Sequence, residues 1–165
     1  MEKFAQWLST TGPSVFIQQH EAWMIPTIQS VHIVGIGAIV GTMFMMTLRV
    51  LGWAGVDQTL GQTQSRFGPW LTGALWLLVV TGVLMVVGEP VRELVTVSFW
   101  VKMVLVAAIA VIAVAFRGLL RKDSDSGATK ALAVLSMAIL VCIILLGRFI
   151  AYDHVWAHIL PAGKA

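Results

Sequence analysis

Charged residues are scarce in this chain of 165 residues. They make up 12% of the sequence, whereas soluble domains average about 25%. The segments 22–48, 67–88 and 131–147 contain no Asp, Glu, Lys or Arg at all. Hydrophobic residues supply 58% of the chain, and a surface of that composition would not stay in water. The scarcity of charge therefore excludes an ordinary soluble domain and predicts an integral membrane protein.

Cysteine and the common catalytic motifs are also nearly absent. The single cysteine, Cys142, excludes a disulfide within the chain. The sequence contains no hydrolase triad, no phosphate-binding loop and no paired carboxylates inside its apolar segments that could relay protons. The net charge of +3 is small, so it reads as a membrane-topology signal and not as a nucleic-acid-binding surface.

Four apolar segments are long enough to cross the hydrocarbon core as helices, which takes about 20 residues. The predicted spans are residues 26–51, 67–88, 98–119 and 130–153. Pro26 suits the start of the first span, because the N–H that proline lacks is not needed in the first helical turn. Short connections favour an all-α, up-down four-helix bundle over residues 26–160, followed by a tail at residues 161–165.

Residues 1–25 differ from the spans because their apolar residues include several aromatics on helical faces. Phe4, Trp7, Phe16 and Trp23 flank a break at Gly12-Pro13. Aromatic side chains of this kind suit the headgroup region of a bilayer. We therefore predict interfacial amphipathic helices that lie on the membrane here.

The orientation follows from the distribution of Lys and Arg between the loops. The loop after the second span carries only Arg92. The loop after the third span is the most basic and contains Arg117, Arg121, Lys122 and Lys130. Because cytoplasmic loops are enriched in cations, we predict a bacterial inner-membrane protein with both termini in the periplasm.

His32 is the one ionisable residue in the interior of the first predicted span. An ionisable group there is a functional-site hypothesis by default. It lies six residues into the span, or about 9 Å below the outer edge at 1.5 Å per residue. The topology puts Lys102 and Arg148 near the same edge. The other histidines, His20, His154 and His158, fall on that side as well, so a polar site in the outer leaflet is predicted.

Most of these residues also have a purely structural interpretation. His20 can be an interfacial polar residue, and Lys102 and Arg49 can reach the headgroups along the apolar surface. The pair His154 and His158 can be one solvated helical face. His32 can serve as a buried hydrogen-bonding group.

Haem b is the first cofactor that this arrangement suggests. Membrane haem is held by histidines, and cations near the surface neutralise its propionates. His32 would supply one ligand and His154 the second. Arg148 and Lys102 would hold the propionates, and Tyr152 could donate a hydrogen bond to one of them. The predicted function is then electron transfer, by the protein alone or as a subunit of a larger membrane complex or homo-oligomer.

Two other functions stay open at this point. Copper is bound by imidazoles together with thioethers such as Met24, and a metal set drawn from His32, His154, His158 and His20 would suit copper uptake. The third possibility is a structural or assembly subunit that binds no cofactor. In that case the polar groups hold lipid or a protein partner.

Four runs of sequence carry a resemblance to a known family. The runs SVHIVGIGAIVG, TLRVLG, SFWVKM and GRFIAY, at residues 30–41, 47–52, 98–103 and 147–152, resemble small four-span bacterial inner-membrane proteins of unknown function. The resemblance carries over His32, Arg49, Lys102, Arg148 and Tyr152 as family positions, while the two C-terminal histidines lie beyond its last motif. A looser likeness to the membrane domain of copper-resistance D proteins implies a link to copper uptake.

Overall fold

The computed structural model describes residues 2–95, 99–108, 111 and 127–151, with residues 146–151 described by their backbone alone. Every regular element within these residues is a helix, which confirms the all-helical prediction. In chain order the helices are α1 (Glu2–Ser9), α2 (Gly12–Gln19), α3 (Glu21–Leu51), α4 (Leu60–Gly88), α5 (Pro90–Leu94), α6 (Phe99–Ala108) and α7 (Gly127–Ala151).

Helices α3, α4 and α7 are each long and apolar enough to cross a membrane. They support the prediction of a membrane protein with transmembrane helices. The described part of the third predicted span is α6, a shorter apolar helix. Because much of that span lies outside the described residues, the four-helix up-down bundle stays a prediction.

Helix α3 begins earlier than the sequence predicts, at Glu21 instead of Pro26. Only His20 separates it from α2. Pro26 lies inside the helix, where it removes one backbone hydrogen bond, that to the Ala22 carbonyl. The loss of one hydrogen bond near the start of a long helix is smaller than the stabilisation that the additional helical turn provides. The helix therefore begins before the proline.

Helix α4 also begins before its apolar run, at Leu60 instead of Phe67. The backbone N–H of Gln62 donates to Thr59 Oγ1 over 3.2 Å, and the Thr59 N–H donates to Gln62 Oε1 over 2.8 Å. This reciprocal capping box satisfies two backbone donors that the helix itself cannot pair. Hydropathy marks where α4 becomes apolar, whereas the capping residues mark where it starts.

Helices α3 and α4 are antiparallel, and their contacts fix one register. Residues in contact across the two helices include Ile25 with Gly88, His32 with Thr81, Gly35 with Leu78, and Ile39 with Ala74. Each step along α3 is matched by an equal step back along α4, and the successive steps are seven, three and four residues. This spacing is typical of the seam of a left-handed antiparallel coiled coil.

Large and small residues face each other across the α3–α4 seam. A Cβ atom added to Gly35 would lie 2.8 Å from Leu78 Cδ2, and one added to Gly88 would lie 2.9 Å from Ile25 Cδ1. Gly37, on another face of α3, would meet nothing within 4 Å. The absence of side chains at Gly35 and Gly88 therefore lets the two helices approach closely. Leu140 of α7 joins the cluster formed by Ile39 and Ala74.

A tight connection of eight residues, 52–59, joins α3 to α4. Arg49 crosses it, because its Nε–H donates to the Gln58 carbonyl over 2.6 Å. Cδ of Arg49 lies 3.6 Å from the position that a Cβ atom added to Gly55 would occupy. Arg49 therefore fastens the connection, in addition to any contact with headgroups.

Replacing Gly52 by alanine is expected to destabilise this end of the hairpin by about 1–2 kcal/mol. Gly52 has a φ of 75°, and the N–H of Trp53 reaches back to the Leu48 carbonyl over 2.9 Å. This cap needs a left-handed residue, which alanine adopts only with strain. Thermal unfolding in detergent measures the loss, and Gly41→Ala, in the helical part of α3, is the control. Equal stability of the two variants would contradict the assignment.

The N-terminal helices pack on the end of α4 and on α5. Ile17 of α2 contacts Gly88, and Ala5 of α1 is fully buried. The aromatic residues Phe4, Trp7 and Trp23 are exposed. These contacts tie α1 and α2 to the helical bundle, while their location at a membrane interface stays a prediction.

Candidate functional site

His32 and Thr81 form a hydrogen-bonded polar layer of the α3–α4 seam. His32 Nδ1 lies 2.7 Å from Thr81 Oγ1. Thr81 Oγ1 also lies 2.7 Å from the Leu77 carbonyl, which can only accept a hydrogen bond. The single hydroxyl hydrogen is therefore used on the carbonyl, and Thr81 accepts from His32. Nδ1 carries the ring proton, and Nε2 of the neutral ring is left with a lone pair.

The ring of His32 passes beside a glycine on α4. A Cβ added to Gly82 would lie 3.8 Å from His32 Cε1, the carbon between the two ring nitrogens. A larger side chain at position 82 would therefore crowd the edge of the ring from which Nε2 is approached. Thr81 is eight residues from Glu89, or about 12 Å along the helix axis.

Lys102 of α6 is the cation associated with this layer. It is half-buried and lies within electrostatic range of both His32 and Glu93. The start of α6 is held against α5, because Trp100 Nε1–H donates to the Leu94 carbonyl over 3.0 Å. The positive charge of Lys102 therefore acts on His32, and both are predicted site residues.

A group of charges on α5 was not predicted as part of the site. Arg92 pairs with Glu89 over 2.8 Å, and Glu93 is only 7% exposed. Burial raises the pKa of the Glu93 carboxyl, the positive charges of Lys102 and Arg92 oppose this, and Glu89 adds to it. Glu93 is therefore a carboxyl group that holds its proton more readily than an exposed one.

His20 does not belong to the His32 site. Its Nδ1–H donates to the Phe16 carbonyl over 2.9 Å, and its ring lies against Phe16 with 4.7 Å between centroids. His20 is the N-cap residue of α3 and precedes His32 by twelve residues, which is about 18 Å of helix. The two imidazoles cannot share one metal ion, so the prediction of His20 as a ligand beside His32 is not supported.

The remaining predicted site residues lie in the C-terminal part of the chain. The backbone of Arg148 belongs to α7. Tyr152, His154 and His158 lie outside the described residues. Their roles stay predictions.

No set of three or more His, Cys, Asp or Glu side chains within the described ranges is arranged to hold a metal ion. A haem iron needs only one or two protein ligands.

The chain was also compared with known proteins. No protein-family model, curated protein or solved structure matches it. The family resemblance of its sequence motifs stays a prediction, and function has to be argued from the site itself.

The His32 layer can do two different things. A histidine that ligates a metal usually donates its other ring N–H to a protein oxygen, which fixes its tautomer and orientation. His32 has this arrangement, with Thr81 as the oxygen. A single polar layer in an apolar helical seam can also specify the register of the two helices. The two roles differ in whether Nε2 of His32 binds a metal ion.

Proposed function

We propose that this protein is a membrane electron-transfer protein that binds b-type haem through Nε2 of His32. The observation that carries the proposal is the hydrogen bond from His32 Nδ1–H to Thr81. It orients the ring and increases the basicity of Nε2. An ionisable ring within an apolar helix is costly unless it has a partner. The haem iron would be the partner of the second ring nitrogen. Haem, when bound, supplies a one-electron carrier.

The cations around His32 are suited to the propionates of haem. Lys102 lies within electrostatic range of the imidazole. In the up-down bundle that we propose, α7 runs antiparallel to α3, and Leu140 belongs to the same buried cluster as Ile39. Arg148 follows Leu140 by eight residues and His32 precedes Ile39 by seven. The backbone of Arg148 would then lie within about 2 Å of the level of His32.

The rest of the proposed assembly follows from the sequence. His154 would be the second axial ligand, with His158 in reserve, and Tyr152 would donate to a propionate. The protein would lie in a bacterial inner membrane with four spans, α1 and α2 at the interface, and both termini in the periplasm. An electron donor or acceptor protein, or a second copy of the chain, would complete the electron path.

A reduced-minus-oxidised absorbance spectrum of the purified full-length protein tests the proposal. We expect a Soret shift and an α-band on reduction, with iron and haem in the same sample. Copper without haem would favour the uptake function. The absence of both would favour a structural subunit in which His32 and Thr81 only set the register of α3 and α4.

Replacing Thr81 by valine is expected to weaken haem binding about 10- to 100-fold, because the histidine loses the oxygen that orients it. Titration of apoprotein with haemin, followed at the Soret band, measures the change. Thr72→Val is the matched control, since Thr72 lies on the same helix, is exposed and bonds only to its own Gly68 carbonyl. Equal affinity of the two variants would remove Thr81 from the site.

A register-setting role for the His32–Thr81 layer is the second candidate function. It is favoured by the pairing of large with small residues in the neighbouring layers, between which His32 and Thr81 form a hydrogen-bonded pair. In that case Thr81→Val changes stability or helix register without a change in cofactor content.

A further inference from the structure

Gly82 lies beside the His32 imidazole and leaves a gap in the surface of α4. A Cβ atom added to Gly82 would lie 3.8 Å from His32 Cε1, and among the described residues this is the one atom of another helix within 4 Å of that position. At Gly35 and Gly88, by contrast, an added Cβ atom would lie 2.8 and 2.9 Å from large side chains. The close packing of α3 and α4 therefore explains Gly35 and Gly88, but it does not require a glycine at position 82.

Large apolar side chains border this gap along α4. The neighbours of a helical residue on its own face are three and four positions away. For Gly82 they are Leu78, Val79, Met85 and Val86. Val79 is 54% exposed, and the other three are half-buried. The missing side chain of Gly82, with His32 beside it and these apolar residues above and below, forms a notch that we call the Gly82 notch.

The Gly82 notch adjoins the ring nitrogen of His32 that has a lone pair. Nδ1–H donates to Thr81 Oγ1 over 2.7 Å, and Cε1 joins Nδ1 to Nε2. A side chain at position 82 that extends past Cε1 would therefore cover the approach to Nε2. Iron coordination along the Nε2 lone pair places a flat porphyrin across the end of the imidazole, next to Cε1. Glycine is the residue that lets a backbone approach a ligand closely.

We propose that Gly82 is a specificity-determining residue of the His32 site, because its missing side chain admits the rim of a porphyrin to the surface of α4. The inference rests on the proposed function. The notch suits an apolar macrocycle, since α4 has no charged residue between Arg66 and its end at Gly88. A side chain larger than alanine at position 82 would occupy the same space as the porphyrin and exclude it.

Haemin titrations of the full-length apoprotein test the proposal with two variants on α4. Gly82→Leu should weaken haemin binding by about 10- to 200-fold, which is the cost of a single methylene that does not fit a hydrophobic pocket. Gly73→Leu is the matched control, because a Cβ atom at Gly73 would meet nothing within 4 Å, and it should bind haemin like the wild type. Equal haemin affinity of the two variants overturns the proposal.

Nitrogen-15 NMR of the Gly82→Leu apoprotein with labelled histidine separates a filled notch from a displaced imidazole. The Nδ1–H signal of His32 should match that of the wild type, because Thr81 still accepts its hydrogen bond. A changed Nδ1–H signal together with weaker haemin binding would mean that the new side chain moved the ring. That result overturns the assignment of Gly82 as a residue that admits the porphyrin.

A labelled-glycine experiment on the wild-type protein covers the case in which Gly82→Leu fails to fold. Zinc protoporphyrin is diamagnetic, and its ring current shifts the NMR signals of nearby groups. The Gly82 signal, assigned with Gly82→Ala, should shift when zinc protoporphyrin binds, whereas the Gly73 signal should not. Porphyrin binding without a shift at Gly82 contradicts this inference alone. A wild-type protein that binds neither haemin nor zinc protoporphyrin contradicts the proposed function and this inference together.

Discussion

Replacing His32 by alanine is expected to remove haem from the purified protein. Loss of a partner that only orients a metal-binding histidine already costs about 10- to 100-fold in affinity, and loss of the ligand itself should cost more. Haem titration of the apoprotein should therefore show more than about a 100-fold weaker affinity. The ratio of haem to protein, measured at the Soret band, reports the change directly.

His20→Ala is the control for this experiment. His20 also donates its Nδ1–H to a protein oxygen, the Phe16 carbonyl, but it lies about 18 Å along the helix from His32. The variant should keep its haem. Full haem content in the His32→Ala protein, or equal loss from both variants, would show that Nε2 of His32 is not the ligand.

Replacing Gly35 by leucine is expected to have the largest effect on stability. Leu78 would lie 2.8 Å from the new Cβ atom, so the remaining side-chain atoms have no space in that layer. Overpacking of this kind costs about 1–3 kcal/mol or more. Because the layer is next to His32 and Thr81, the two helices would separate at the site as well. Thermal unfolding in detergent and haem affinity should fall together.

Two further variants show whether the register causes this effect. Gly37→Leu places the same side chain where nothing lies within 4 Å, and it should be close to wild type in stability. Adding Leu78→Ala to Gly35→Leu reverses the large and small partners of one layer, and it should recover much of the loss. Failure of the double variant to recover, together with a destabilised Gly37→Leu, would contradict the α3–α4 seam.

The sequence predicts the transmembrane helices and singles out His32, but it does not identify the partner of His32. Hydropathy and the absence of charge are properties of single segments, whereas Thr81 becomes important only through its contact with α3. A signal did exist, because Ala74, Thr81 and Gly88 recur every seven residues. Small residues at that spacing indicate a close helical seam, and a threonine among them faces the neighbouring helix.

Helix starts were the weakest part of the sequence prediction. Pro26 and Pro69 both lie inside helices, since one missing backbone bond does not end a long helix that is otherwise stabilised. The capping pair Thr59 and Gln62 was visible in the sequence and marks the true start of α4.

Glu93 could not be recognised from sequence as a buried group. It looks like one member of a solvated loop with Glu89 and Arg92. Helix α5 packs against α1, a contact between residues far apart in sequence, and α6 begins beside α5. The separation of His20 from His32 also depends on structure, because α3 begins at Glu21, directly after His20, and continues through His32 as one helix.

The tautomer of His32 tests the central claim most directly. Nitrogen-15 NMR of the apoprotein with labelled histidine separates a protonated from an unprotonated ring nitrogen, and the His32→Ala spectrum assigns the signal. We expect a proton on Nδ1 and a free Nε2, with the Nε2 signal displaced when haem is added. A proton on Nε2, or an Nε2 signal unchanged by haem, would contradict the account.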